Sequence, residues 1–465
     1  MITLREVLEG TQGRLLDASG IVPATDIRRV WHDSRDIQPG DLYVAIVGEH
    51  LDGHQFVAEA QVRGATAALV DVAHADQLSN LSLPLVVVDD TIRGLQRLAG
   101  YWRSRLKVRA IGITGSLGKS STKEVIWKVV SQRFATHHSR KSFNNEIGLP
   151  LTILELTPDT EVVVLEMGTH GPGEITELTD IAHPQIGVVT NVSHSHLGRM
   201  GSLDVIAQAK TELPASLPAD GFAVLNGDDS RVRGMAGATR ANVIFYGSTA
   251  DCAVRAENIE SHGLDGISFD LIAEGFHERI QTPLLGAHSA YTVMAAVGTG
   301  LALGMQVPEM LPGILDPSVR MRLLTVPGPN GSTIIDDTYN SSPTSSLAAI
   351  QLLSEIPAKR RVAAFGDMLE LGAFEEEGHR LVGRRLAEVT DVLYTMGERA
   401  ALIADEAVRS GMPAESVHQE ADKLALAEAL REGLGEGDYV LIKGSRGIRL
   451  EDVVSALRQD KLATE

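Results

Sequence analysis

The chain is predicted to be an α/β protein of three domains, with parallel sheets in at least its second and third parts. Three observations predict this. Its 465 residues suggest about three domains at roughly 150 residues each. Near-continuous apolar strands alternate with helical patterns along most of the chain, as in parallel sheets covered on both faces. The segment Thr114-Gly115-Ser116-Leu117-Gly118-Lys119-Ser120-Ser121 follows an apolar run over 108–113. It precedes the apolar-periodic Val125, Ile126, Val129 and Val130, so it reads as strand, glycine loop and helix.

In the first unit, 1–105, short strands are expected at 42–47, 67–70 and 85–88, with helices at 56–62 and 92–106. The second unit starts at Lys107 with the strand before the glycine loop and continues through buried strands at 162–165, 186–190, 223–225 and 243–246. From 251 to 283 the pattern shortens and alternates around Gly263 and Gly266, which predicts an antiparallel insert. A helix over 288–304, stopped by Gly304, closes the unit. The third unit starts near Asp316, after a boundary marked by Pro312, Pro317, Pro327 and Pro329. Strands at 333–335, 362–365, 392–395 and 439–442 alternate there with helices at 346–353, 380–389, 400–409, 423–430 and 451–457. That is a doubly wound, Rossmann-like pattern.

Composition narrows the function. Apolar residues make up 43% and charged residues 22% of the chain, as in an ordinary globular protein. A net charge of −19 argues against broad nucleic-acid binding, which needs basic surface. The single cysteine, Cys252, excludes an internal disulfide and a cysteine-based zinc site, and fits a reducing cytosol. The start, MITLREVLEG, has no signal-peptide character. No apolar run approaches the roughly 18 residues of a membrane span.

The glycine loop carries the strongest chemistry. Such a loop wraps backbone N–H groups around phosphates, and the following helix adds positive potential at its N-terminus. Lys119 would neutralise the outer phosphates and the Ser120 hydroxyl would hold Mg²⁺. The spacing is unusual, because Ile113 stands where the common loop begins with glycine. Glu166 ends a strand, where a carboxylate either binds Mg²⁺ beside the loop or is an ordinary polar terminus. His194 and His196 follow another strand, and His196 is either a metal ligand or a solvated loop residue. Lys210 lies in a helical pattern with Ile206 and Leu213, where a surface lysine is the plain alternative. Asn144-Asn145-Glu146-Ile147-Gly148 is either a polar binding loop or a helix cap. Asp336-Asp337, Arg322 and Lys443-Gly444-Ser445-Arg446 bring charge to one cleft or form a turn cluster on a solvated sheet edge.

In their order, several of these segments resemble the Mur ligase family over essentially the whole chain. They are HDSRDIQPGDLYVAIVGEHLDGHQFVAEA, ITGSLGKSSTKE, SFNNEIGLPLTIL, LEMGTHGPGEI, AQAKTEL, IIDDTYNSSP, FGDMLELG and IKGSRG. The similarity is greatest to the branch that joins D-alanyl-D-alanine to UDP-N-acetylmuramoyl-tripeptide in peptidoglycan precursor synthesis. The resemblance implies a cytoplasmic, ATP- and Mg²⁺-dependent amide ligase working through an acyl phosphate. It implies a UDP-sugar-binding domain over 1–105, an ATP-binding domain over 106–315 and a ligase domain over 316–465. It assigns ATP to Thr114, Gly115, Ser116, Gly118, Lys119, Ser120, Ser121, Asn145, Arg322 and Asp337. Metal falls to Ser120, Glu166, His196 and, as a carbamate, Lys210; the nucleotide-sugar end falls to Ser34 and Arg35. Lys119, Glu166, His196 and Lys210 are the implied catalytic set. The chain departs from the family at His288-Ser289-Ala290-Tyr291-Thr292, where an asparagine pattern usually reads adenine, at Ser341-Ser342, and at Ser193 and Ser195. Two alternatives stay open: a similar ligase for another carboxylate and amine, and a nucleotide-binding protein without turnover.

Overall fold

Three main sheets organise the chain in a computed structural model that describes residues 2–16, 25–48, 50–140, 142–194, 197–319 and 324–458. The first sheet has the strand order Arg14–Leu16, Leu85–Val88, Ala67–Asp71, Asp41–Val44, Arg29–Trp31. All its neighbours are parallel except the pair containing Arg14–Leu16. The two outer strands span three residues each, too short to leave an alternating signal in the sequence. The helix Thr91–Ser104 is N-capped by the Asp90 side chain, which accepts from the Arg93 N–H. Leu95, Leu98, Ala99 and Trp102 recur at helical spacing and form its buried face.

The central sheet has nine strands, in the order Phe276–Thr282, Ile267–Ala273, Val254–Ser261, Asn242–Gly247, Phe222–Asn226, Ile186–Val189, Arg109–Thr114, Val162–Glu166, Thr136–His138. Seven of them run parallel, up to Val254–Ser261. The expected insert over 251–283 is an antiparallel extension of this same sheet, added strand by strand at its edge. Arg109–Thr114 lies between Val162–Glu166 and Ile186–Val189, with Ile113 opposite Glu166 and Thr114 opposite Val189. This register brings the glycine loop, Glu166 and the chain after Val189 to one edge, the carboxyl ends where open α/β sheets bind ligands.

The third sheet has the order Leu324–Pro327, Thr333–Asp337, Asp438–Lys443, Arg360–Gly366, Val392–Met396, Val417–Glu420, parallel except at Leu324–Pro327. Ile335, Ala363, Phe365 and Leu441 enter one buried cluster, while Ile334, Val362, Ala364, Val440 and Ile442 enter another. Neighbouring residues thus face opposite layers of helix, which is the doubly wound arrangement.

Candidate active site

A cavity of about 990 Å³ opens over the carboxyl ends of the central strands and is walled on its far side by the third unit. Its floor is the glycine loop. Gly115 has φ +147°, and a Cβ there would stand 1.8 Å from the Thr190 hydroxyl oxygen, so only glycine fits. Thr190 and Asn191 brace the loop: the Thr190 hydroxyl donates to the Leu117 carbonyl at 2.6 Å, and the Leu117 N–H donates to Asn191 Oδ1 at 2.9 Å. Gly118, at φ +78°, begins the helix Lys119–Val130 without a side chain to cap it. The positive end of that helix, without a side-chain cap, favours an anion. Lys119 Nζ folds back to the carbonyls of Gly115 at 2.7 Å and Ser116 at 3.2 Å. Ser120 and Ser121 line the cavity beside it.

Glu166 stands next to this loop and is only 2% exposed. Its Oε1 accepts from Asn144 Nδ2 at 2.8 Å, while its Oε2 is buried with no hydrogen-bond partner among the described residues. A carboxylate oxygen left bare in the interior is costly unless a cation completes it. The donor set, a carboxylate beside a serine hydroxyl and the glycine loop, therefore fits a hard divalent ion. Asn144 is a residue that sequence reasoning grouped into a loop without a role. Its partner lies 22 positions away, so no local signal could reveal the contact. Asn145 lines the cavity, and its Oδ1 accepts the Gly148 N–H at 2.9 Å, so it also starts the helix Gly148–Leu154.

Lys210 corrects the plain surface reading. It lies on the helix Leu203–Ser216 and is 3% exposed. Burial, and then the charge of Lys119, push its amine well below the usual lysine range. The third unit brings Asp337 to the same cavity, where Lys443 Nζ meets its Oδ2 at 2.5 Å and the Asn340 carbonyl at 2.8 Å. Lys443 is a buried cation that the sequence shows only as part of a strand-end motif. Ser34 and Arg35 do not line this cavity: Ser34 bonds Glu59 at 3.2 Å, and exposed Arg35 pairs with Asp33 at 2.7 Å. His196 and Arg322 lie outside the described residues. The Ser289 and Thr292 side chains line the cavity on the helix Ser289–Ala302, where the family's adenine pattern departs.

Comparisons with known proteins agree along the whole length. Three family models match in order: "Mur ligase family, catalytic domain" over 26–103, "Mur ligase middle domain" over 113–300, and "Mur ligase, glutamate ligase domain" over 320–446. The UDP-N-acetylmuramoyl-tripeptide–D-alanyl-D-alanine ligase of Bacillus subtilis is 34% identical, with 99% of each chain covered. The Escherichia coli protein of the same name is 32% identical, again with 99% of each chain covered. Among solved structures, a crystal structure of MurF from Acinetobacter baumannii superposes with a TM-score of 0.86 at 28% identity, covering 98% of both chains. MurF ligase from Thermotoga maritima in complex with ADP gives a TM-score of 0.77 at 26% identity, covering 94% of this chain and 99% of that one. Three matched domains and full-length relatives lead to one conclusion: the chain belongs to the Mur ligase family.

Proposed function

We propose that the chain uses ATP to join D-alanyl-D-alanine to UDP-N-acetylmuramoyl-tripeptide, a step of peptidoglycan precursor synthesis in the cytoplasm. The observation that carries the reading is the pairing of the glycine loop with the unpartnered Glu166 oxygen inside one cavity. The full-length likeness to ligases bearing that name supports the substrate pair. Among the described residues no helix is long and apolar enough to cross a membrane.

The chemistry must bring two anions together, because a substrate carboxylate attacks the γ-phosphate. The N–H groups at the start of the helix Lys119–Val130, together with Lys119, hold the phosphates and offset that repulsion. Ser120, Glu166 and His196 would hold Mg²⁺, which when bound supplies charge stabilisation at the transferring phosphoryl group. The product is an acyl phosphate and ADP. The dipeptide amine then attacks the acyl carbonyl, the carbonyl–phosphate bond breaks, and phosphate leaves with the electron pair. Arg322 and Asp337 complete the ATP site from the third unit, Asn145 approaches the γ-phosphate, and Ser34 and Arg35 receive the nucleotide-sugar end. In this reading the domains divide near residues 105 and 316.

Lys210 becomes useful because it is buried. A neutral amine adds to CO₂ and, after losing a proton, becomes a carbamate, which turns a repelling cation into an anionic oxygen ligand. Lys210→Ala is expected to lower turnover by roughly 10²–10³-fold, with partial recovery in a short carboxylic acid. Full activity in the alanine variant would remove the carbamate. The reading as a whole is tested by phosphate release from the purified enzyme against a panel of UDP-muramoyl peptides and dipeptides. Release that needs both UDP-muramoyl-tripeptide and D-alanyl-D-alanine is the expected result. Release with no dependence on that pair would reject it.

A further inference from the structure

The proposed function leaves one charge without a receiver. The incoming dipeptide reacts through its amine, but its other end is a carboxylate that enters a cavity lined by Glu146, Glu166, Glu174, Glu177, Asp337 and Glu370. Such a group binds there only against a cation, and a guanidinium suits it because two parallel N–H groups match two oxygens. Among the described residues, four lysine or arginine side chains line the cavity: Lys119, Arg199, Lys443 and Arg446. Three are already engaged. Lys119 is folded over the glycine loop, 2.7 Å from the Gly115 carbonyl, and the ligase reading assigns it to the phosphates. Lys443 is 1% exposed and bound to Asp337 at 2.5 Å. Arg446 pairs with Glu451 at 3.1 Å. Arg199 is exposed within the cavity, and among the described residues no carboxylate pairs with it.

The placement of Arg199 is also specific. It lies on the short helix Leu197–Met200, in the chain that leaves the carboxyl end of the strand Ile186–Val189. The Gly198 N–H beside it donates to the Glu370 carbonyl of the third unit at 2.9 Å. A Cβ on Gly372 of the third unit would stand 2.8 Å from the Gly198 Cα, so the two backbones touch. Arg199 is thus held at the seam between the central and third units. No residue of the first unit lines the cavity among the described residues, so the seam is the side left for the second substrate.

We propose that Arg199 binds the carboxylate of the incoming dipeptide and so selects a free acid over its amide. This rests on the ligase reading above. The experiment compares full-length wild type, Arg199→Ala and Arg199→Lys in steady-state kinetics with D-alanyl-D-alanine and with its carboxyl amide. A lost hydrogen bond to a charged group is worth about 1.5–3 kcal/mol, or roughly 10- to 150-fold. Arg199→Ala should raise KM for the dipeptide by about that factor and leave KM for ATP and for the UDP-linked substrate within about threefold. The preference of the wild type for acid over amide should collapse in the alanine variant, with Arg199→Lys in between. An unchanged dipeptide KM, a rise confined to the UDP-linked substrate, or a retained acid preference in Arg199→Ala would each overturn the proposal. A wild type that makes no product from any dipeptide would instead overturn the ligase reading on which it rests.

Discussion

The two seams of this molecule are built from opposite materials. Between the first and central units the join is a dry core. Leu95, Leu98, Ala99 and Trp102 of the helix Thr91–Ser104 share one buried cluster with Leu149, Leu151, Ile153, Val163 and Leu165 of the central unit. Its few polar groups are matched: Trp102 Nε1 donates to the Leu156 carbonyl at 2.9 Å, and the Arg103 guanidinium reaches Ala182 at 2.8 Å and Val108 at 2.7 Å. Between the central and third units the join is the cavity itself, edged by isolated contacts. Among the described residues these include Gly198 to Glu370, the Ser142 and Tyr339 hydroxyls, the Lys128–Asp316 ion pair at 3.0 Å, and the His194 ring stacked on Phe374 at 4.3 Å. The main buried clusters of the third unit take a single buried residue, Leu285, from before residue 316. A dry seam resists opening because each parted apolar surface must be hydrated. A seam of a few polar contacts around a cavity exchanges them for water at small net cost. The first seam therefore fixes geometry, and the second can admit and enclose substrates.

That contrast is open to direct attack. Glu166→Gln acts inside the cavity and should give the largest effect, a fall in turnover on the order of 10³-fold. Its unfolding temperature should stay at or above that of the wild type, since a bare buried carboxylate has gone; a matching loss of stability would show that the cavity is part of a core after all. Trp102→Ala should do the reverse. It is expected to cost about 3–5 kcal/mol of stability, read by denaturant or thermal unfolding, while the surviving folded enzyme keeps its KM values. Altered substrate affinity in that variant would mean the dry seam also shapes the site. Gly198→Trp wedges the second seam where the two backbones touch. It should lower turnover by about ten- to a hundredfold through misplaced groups, with a larger radius in solution scattering and little change in unfolding temperature. Normal activity with the wedge in place would show that the third unit need not close.

The contrast also explains what was legible beforehand. The glycine loop is a local object whose eight residues determine one another, so its strand, turn and helix could be read directly. The place of Glu166 at a strand end was legible because it closes an apolar run. The helix 288–304 was read with nearly its observed bounds, Ser289–Ala302, since Gly304 punctuates it. Other features were not legible for physical reasons. The strand Thr136–His138 spans three residues and pairs along one side, so it leaves no period. The 251–283 segment showed its antiparallel pattern, but only the register of Tyr246 with Val254 shows that it continues the central sheet. For Lys210, the pattern around it suited a surface lysine as well as a buried one. Burial followed from what packs over the helix, not from the helix.

By itself, the sequence determined the α/β layering, the strand, glycine loop and helix at 109–130, and the order of the three units, because each arises from neighbours along the chain: alternation, glycine turns and apolar runs. Only the tertiary structure decided which charges meet. Asp337 and Lys443 are 106 positions apart, Asn144 and Glu166 are joined across two elements, and Arg199 is presented by a seam between units. Such meetings depend on sheet register and unit packing, and the electrostatic energy that gives them function falls with distance in space, not with separation along the chain.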